Sequence, residues 1–323
     1  MPRKDRGYKS LIKIIEGDHL SGASHLSRKA ANAFILFSSE NRATKKQAYC
    51  QALLKLGQEL IKAQPDIVPI FNLVNSILYS VQEHKNALSL EKLNLLVRKK
   101  AEEFHSNSLK SLEKIAEIGQ NLIFAGCTIL TYSSSGAVLS ILRKAKKKGK
   151  KFRVVVSEAR PMFEGRKLAQ ELGKLGVSVT LVTDSALSFY LKDADLVLVG
   201  ADSISEKAFV NKVGTYGLSL LARKVRVPLY VASERTKFIS EKWKKRAIRQ
   251  ADLREVFPGR LKNVKVENPY FEEIPLSCCK QVITPAGFLS PSRIPSAIRK
   301  TRLCQDLVQQ AQHPFTSEKR KKH

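Results

Sequence analysis

Apolar residues in the first third of the chain recur at helical spacing. Between Ala23 and Glu40 they fall at Leu26, Ala30, Ala33, Phe34 and Phe37, a spacing that lines one face of a helix. Lys45 to Ala63 and Ile67 to Val81 repeat the pattern, and Pro65 closes the first of these. A long charged helix is predicted from Leu90 to about Gln120, with a break near Ser106-Asn107. Nothing in this third alternates like a strand.

The texture changes at Gly126. Short β-rich runs at Cys127 to Tyr132, Phe152 to Ser157, Val177 to Thr183, Leu196 to Gly200 and Pro228 to Ala232 alternate with helical stretches at Ala137 to Lys148 and Arg166 to Leu175, and a short one at Ser185 to Lys192. Strands separated by helices of this length imply βαβ units and a parallel sheet. The predicted fold class is α/β: an N-terminal helical domain over residues 1–120, a C-terminal Rossmann-like parallel-sheet domain over 121–310, and a basic tail over 311–323. A ligand cleft is expected between the domains, with the turn from Ser21 to Ser24 closing over it.

With 323 residues and 43% hydrophobic content the chain can bury real cores. No apolar run approaches the ~20 residues that span a bilayer, and the basic start Met1-Pro2-Arg3-Lys4-Asp5-Arg6 is followed by no apolar segment. Cys50, Cys127, Cys278, Cys279 and Cys304 form no CxxC or paired framework, so a cytoplasmic protein with no structural metal and no cofactor is expected. The net charge of +28 is unusual, and part of it clusters. Arg143, Lys144, Lys146, Lys147, Lys148, Lys150, Lys151 and Arg153 surround one helix-to-strand turn. Lys242, Lys244, Lys245, Arg246 and Arg249 form a second group, and Lys319-Arg320-Lys321-Lys322 a third. Such a field attracts polyanions such as RNA, although no aromatic-interleaved RNA motif accompanies it and solvated faces account for it as well.

The candidate chemistry sits at strand ends, where doubly wound sheets hold ligands. Ser133-Ser134-Ser135-Gly136 lies between a strand and a helix, suited either to a phosphate or to plain helix capping. Arg160 follows the next strand and can clamp a phosphate or carboxylate. Asp202 sits in a Gly-Ala-Asp-Ser turn after an apolar strand, with Asn211-Lys212-Val213-Gly214-Thr215-Tyr216 opening a helix and Lys237 after the following strand. Cations and a carboxylate on successive loops suggest a site for an anionic small molecule.

The motifs GADS…NKVGTY…ASERTKF, TYSSSGAV, SEARPMFEG and ENPYFEEIP…VITPAGFLSP resemble the alpha, beta and delta regulatory subunits of initiation factor 2B. They are equally similar to ribose-1,5-bisphosphate isomerase and methylthioribose-1-phosphate isomerase, which share that fold. Leu20 to Ser24 resembles the family's N-terminal RGAG turn, which brings Gly22 and Ala23 into the expected substrate contacts with Ser135, Arg160, Asn211, Lys212 and Lys237. The resemblance implies a cysteine and an aspartate as acid/base pair for aldose–ketose isomerisation. The aspartate maps to Asp202; the cysteine maps to Ser133, a far weaker acid with no histidine beside it. Losing a positioned acid/base group typically costs ~10² to 10⁴ in rate. Ser21 replaces the arginine of RGAG, the Ser205 to Ala208 loop is shorter than the family's, and Thr284-Pro285-Ala286 stands where ITE is usual. The resemblance therefore implies first a regulatory protein that binds a sugar phosphate or nucleotide and second an isomerase on a phosphorylated pentose; the clustered Lys and Arg add a third expectation, an RNA-associated protein. A homodimer through the α/β domain, with a translation-factor or RNA partner, belongs to the same expectation.

Overall fold

The computed structural model describes residues 7–18, 21–243, 251–259, 262–299 and 301–307. Leu20, the basic positions Lys244, Lys245, Arg246 and Arg249, the start 1–6 and the tail 311–323 lie outside the described residues. The chain divides into two compact units. One takes residues up to Ser21, His25–His105 and the segment from Arg299; the other takes Gly22–Ser24 and Ser106–Ile298.

The helical unit is built from α1 (Tyr8–Gly17), α2 (Ala23–Glu40), α3 (Lys46–Ala63), α4 (Val68–His84) and the first half of α5 (Leu90–Gly119). Pro69 occupies the first turn of α4, where the missing N–H has no helical partner to lose. Phe34, Phe37, Leu53, Leu60, Ile70, Leu73, Leu93 and Val97 are all fully buried in one core, so the periodic positions read from the sequence are those that pack. α5 runs unbroken through Ser106-Asn107, correcting the expected break. Its second half carries Ile115 into the core of the other unit, which is why the division falls inside this helix.

The second unit holds a seven-stranded sheet: β1 (Thr128–Thr131), β2 (Arg153–Ser157), β3 (Ser178–Val182), β4 (Leu196–Gly200), β7 (Leu229–Ala232), β9 (Gln281–Thr284) and β10 (Gly287–Leu289). Its order is β10-β9-β7-β4-β1-β2-β3, parallel except for β10. Because successive strand residues face opposite sides, the near-continuous apolar runs feed two cores. Leu130, Val155, Val197, Val199 and Val231 enter one; Ile129, Val154, Val156, Leu198 and Tyr230 enter the other. Helices α6 (Gly136–Lys147), α7 (Glu164–Lys174) and α8 (Thr215–Lys224) supply the crossovers, α9 (Ile294–Arg299) follows β10, and Ser185–Asp193 is a 3-10 segment. A small antiparallel sheet, β5 (Ser203–Ile204), β6 (Ala208–Lys212) and β8 (Phe271–Pro275), stands beside β4 in the chain. The stretch from Asn211 to Tyr216 does lead into α8, as expected, but Asn211 and Lys212 end a strand instead of lying on a loop. The pairing of Asn211 with Glu272 and Lys212 with Phe271 fixes both.

From β1 the strand order runs outward through β2 and β3, and on the other side through β4 and β7. This reversal opens the crevice at which doubly wound sheets bind ligands.

Candidate functional site

Two loops meet where the strand order reverses. After β1, Ser133 is buried and adopts a left-handed backbone, φ 62°, a conformation uncommon outside glycine. Ser135 caps α6, its Oγ accepting from Val138 N–H at 3.5 Å, so the capping use of this serine is realised. The same hydroxyl lies against the last residue of β4. A Cβ on Gly200 would stand 2.4 Å from Ser135 Oγ and 2.7 Å from its Cβ, so only glycine lets the two loops close together.

Asp202 follows Gly200, its N–H held by the Val210 carbonyl at 2.8 Å. Part of its surface reaches solvent, yet protein surrounds it closely, and desolvation raises its carboxyl pKa above the usual value against the opposing pull of Lys237 and Lys212. Lys237, in the 3-10 turn after β7, donates from Nζ to the Ala201 carbonyl at 2.6 Å. Lys212 is 3% exposed. Its Nζ donates to Glu164 Oε1 at 2.7 Å and lies 3.2 Å from the Tyr270 ring centroid. Burial lowers its pKa, while Glu164 and Asp202 oppose the shift. Asn211 Nδ2 donates to Thr215 Oγ1 at 3.0 Å, and Thr215 donates in turn to the Lys212 carbonyl. Asn211 thus braces the turn from β6 into α8.

The structure brings Asp202, Lys212 and Lys237 into one electrostatic group, and adds Glu164 to it. Arg160 stands apart. Its guanidinium donates to the Glu255 carbonyl at 2.9 Å and lies 5.1 Å from the Phe163 centroid. Its backbone N–H and that of Ala159 are both held by the Asp184 carboxylate at 2.8 Å. Gly22 and Ala23 open α2; the next residue, Ser24, donates its hydroxyl to Glu234 Oε1 at the end of β7. That bond brings the Gly22–Ser24 turn to the strand end from which Lys237 projects.

Sequence reasoning quoted the motifs that contain Glu164, Glu234 and Tyr270 but gave these residues no role. Glu164 Oε2 is buried without a hydrogen-bond partner among the described residues, the signature of a group awaiting a donor. Cys127, at the far end of β1 from Ser133, is buried and its thiol pKa is pushed up to about 11 by desolvation, so it offers no thiolate near neutral pH.

Much of the first basic cluster has internal partners. Lys144 and Lys148 both pair with Glu117, and Arg143 pairs with Glu171. Lys146 donates to the Gly176 carbonyl, and Lys150 to the carbonyls of Gln120 and Ile123. These cations tie helix ends and turns together around the α6-to-β2 connection. Among the described residues no group of histidines, cysteines and carboxylates could hold a metal ion, and no helix is long and apolar enough to cross a membrane.

A model of the initiation factor 2 subunit family matches residues 19–291. The chain belongs to that family. A Pyrococcus furiosus protein named eIF-2B subunit 2-like is 33% identical over 287 residues, covering 88% of this chain and 97% of the relative. Ribose 1,5-bisphosphate isomerase of Methanocaldococcus jannaschii is 32% identical over 288 residues, covering 88% and 91%. Among solved structures, the Pyrococcus horikoshii translation initiation factor eIF-2B superposes with a TM-score of 0.74 at 28% identity, covering 91% of this chain and 99% of that one. Family members of both kinds, factor and isomerase, thus lie at almost the same distance, and the family's fold is the α/β architecture described above.

Proposed function

We propose that this chain is an initiation-factor-2B-type regulatory protein that holds a phosphorylated small molecule, a sugar phosphate or nucleotide, in the crevice around Asp202 without turning it over. The observation that carries this reading is Ser133, a hydroxyl where the resemblance calls for a thiol, beside a retained set of Asp202, Lys212 and Lys237. The charged set supports anion recognition through short charge-assisted hydrogen bonds, while the missing thiol removes one half of the acid/base pair. Gly22, Ala23, Ser135 and Asn211 serve as contacts or braces, and Arg160 acts at the rim. The test is a thermal-shift panel of pentose phosphates, hexose phosphates and nucleotides, followed by NMR detection of turnover on ribose 1,5-bisphosphate. A ligand that binds only the native state raises the melting temperature. Binding without product is expected; steady ketose formation would overturn the reading.

A second reading, an isomerase on a phosphorylated pentose, draws on the raised pKa of Asp202, which suits a proton-transferring carboxyl. It requires turnover that Asp202→Asn abolishes. A homodimer through the α/β unit is part of the same proposal, supported by the exposed apolar residues Leu220, Leu221 and Val225 on and just after α8. Light scattering that returns a monomer at micromolar concentration would exclude it.

A further inference from the structure

Glu234 is 1% exposed just past the end of β7, and two distant stretches of chain converge on its carboxylate. Its Oε1 accepts the hydroxyl of Ser24 at the start of α2, and its Oε2 accepts the hydroxyl of Ser108 in α5 at 2.9 Å. Its carbonyl accepts the N–H of Lys237 at 3.2 Å and the hydroxyl of Ser233 at 3.1 Å. Ser24 and Ser108 lie beside two of the points at which the chain passes between its units. An ionised carboxylate accepts at both oxygens, so two hydroxyls can donate to it at once; an amide would offer one acceptor and one donor. On the other side of the turn, Asp18 Oδ1 accepts from Ser21 N–H at 2.9 Å and Lys29 donates to Asp18 Oδ2 at 2.7 Å. The Gly22–Ser24 turn is thus gripped at both its ends.

We propose that Glu234 is a positioning residue, which fixes the Gly22–Ser24 turn and the Lys237 turn in one arrangement so that both reach the same phosphorylated ligand. The proposal rests on the ligand-binding reading above and names the group that assembles its two most distant parts. Neither turn belongs to a strand of the sheet: one is the first turn of α2, the other a single 3-10 turn. Fixing them before the ligand arrives removes an ordering cost from binding. Glu234 itself touches no ligand; it acts through Ser24 and through the backbone of Lys237.

The test is hydrogen exchange with mass spectrometry on the full chain, with and without ribose 1,5-bisphosphate, following peptides that cover residues 21–26 and 233–240. In the wild type the ligand is expected to protect both. In Glu234→Gln, protection around Lys237 persists, protection at Gly22–Ser24 is lost, and affinity falls about tenfold, the worth of one charge-assisted hydrogen bond. Ser24→Ala, which leaves the buried carboxylate and Ser108 in place, is expected to act in the same direction and keeps the proposal testable should Glu234→Gln fail to fold. Ligand protection of both peptides in both variants, at unchanged affinity, overturns the proposal. So does faster exchange throughout the unliganded Ser24→Ala variant, which would assign the contact a purely structural role. A wild type in which neither peptide is protected defeats the ligand-binding reading itself, a result distinct from the other two.

Discussion

The start of α7 offers the sharpest test of how tightly the site is built. Glu164, the partner of Lys212, is followed by Gly165, and a Cβ built on Gly165 would lie 1.7 Å from the Ser157 carbonyl oxygen, 2.8 Å from its carbon and 3.0 Å from the Glu158 carbon. All three are main-chain atoms at the end of β2, so no rotamer change relieves the clash. Carbon contacts are most favourable at ~3.5–4.0 Å, and the helix start would have to retreat by roughly 1–2 Å to restore them. Overpacking typically costs ~1–3 kcal/mol and occasionally more; a backbone obstacle puts Gly165→Ala at about 3 kcal/mol or above. The opposing gain in helix propensity is only ~0.5–1 kcal/mol, so the clash wins. At ~2–4 °C per kcal/mol for a unit of this size, the melting temperature is expected to fall by about 6–12 °C. Gly173→Ala is the control on the same helix. Nothing lies within 4 Å of its added methyl, and the variant is expected to be at least as stable as the parent. Thermal melts of the three proteins decide the matter; a Gly165→Ala midpoint within a degree of the parent would refute the reasoning.

Three other outcomes are expected. Burial raises the folded pKa of Asp202 above the ordinary aspartate value of 3.8, so the native state holds its proton to higher pH than the unfolded chain does. The stability that this proton represents is complete below about pH 3.8 and lost as pH rises through the folded pKa. Asp202→Asn should therefore melt higher than the parent at pH 7, with the gap closing on acidification, and a lower midpoint at pH 7 would contradict the burial argument. Lys212→Met strands a partly buried carboxylate at Glu164, for which one-sided removal of a buried pair costs ~3–5 kcal/mol; in urea titrations it should be more damaging than the double variant Lys212→Met/Glu164→Gln, and the reverse order would be inconsistent with the pair. Ser133→Cys restores the thiol that the resemblance implies, and NMR should detect ketose from ribose 1,5-bisphosphate in this variant and not in the parent. Silence in a variant that still binds the compound would show that more than the thiol is missing.

The helical unit and the central sheet were legible because their signals are local. α2 spans the stretch that the spacing predicts, and β4 is the apolar run Leu196 to Gly200. The break expected at Ser106-Asn107 relied on weak intrinsic helix preference, which tertiary packing overrides; Ser108 there has a buried partner in Glu234. The strand nature of Asn211 and Lys212 was illegible for a different reason. Only five residues long, β6 is made a strand by pairing with β8 far along the chain, and no window around position 211 contains that information. The same limit hid Glu164 and Glu234. Their partners Lys212, Ser24 and Ser108 lie 48, 210 and 126 positions away, so motif reading could place the carboxylates on loops but could not say what they hold. The basic cluster shows the same limit: a run of cations left both a polyanion field and solvated faces open, and the carbonyls that Lys146 and Lys150 cap are read only from the structure.

The charges around Asp202 also separate two features that the sequence presents together, the net charge of +28 and the expected site for an anionic small molecule. Lys212 is paired with Glu164, Lys237 Nζ is held by the Ala201 carbonyl, and both lysines act on Asp202, so neither ammonium stands without a partner. A phosphorylated ligand would therefore gain little from long-range attraction at this point. It would have to take Lys212 from Glu164, or Lys237 from the Ala201 carbonyl, and replace that bond with a better one. The unpartnered Glu164 Oε2 supplies the complement, an acceptor for a hydroxyl on the same ligand. A crevice of this kind selects by the match of donors and acceptors rather than by charge alone. On the proposed reading it would favour a compound carrying both a phosphate and free hydroxyls over inorganic phosphate or a simple polyanion.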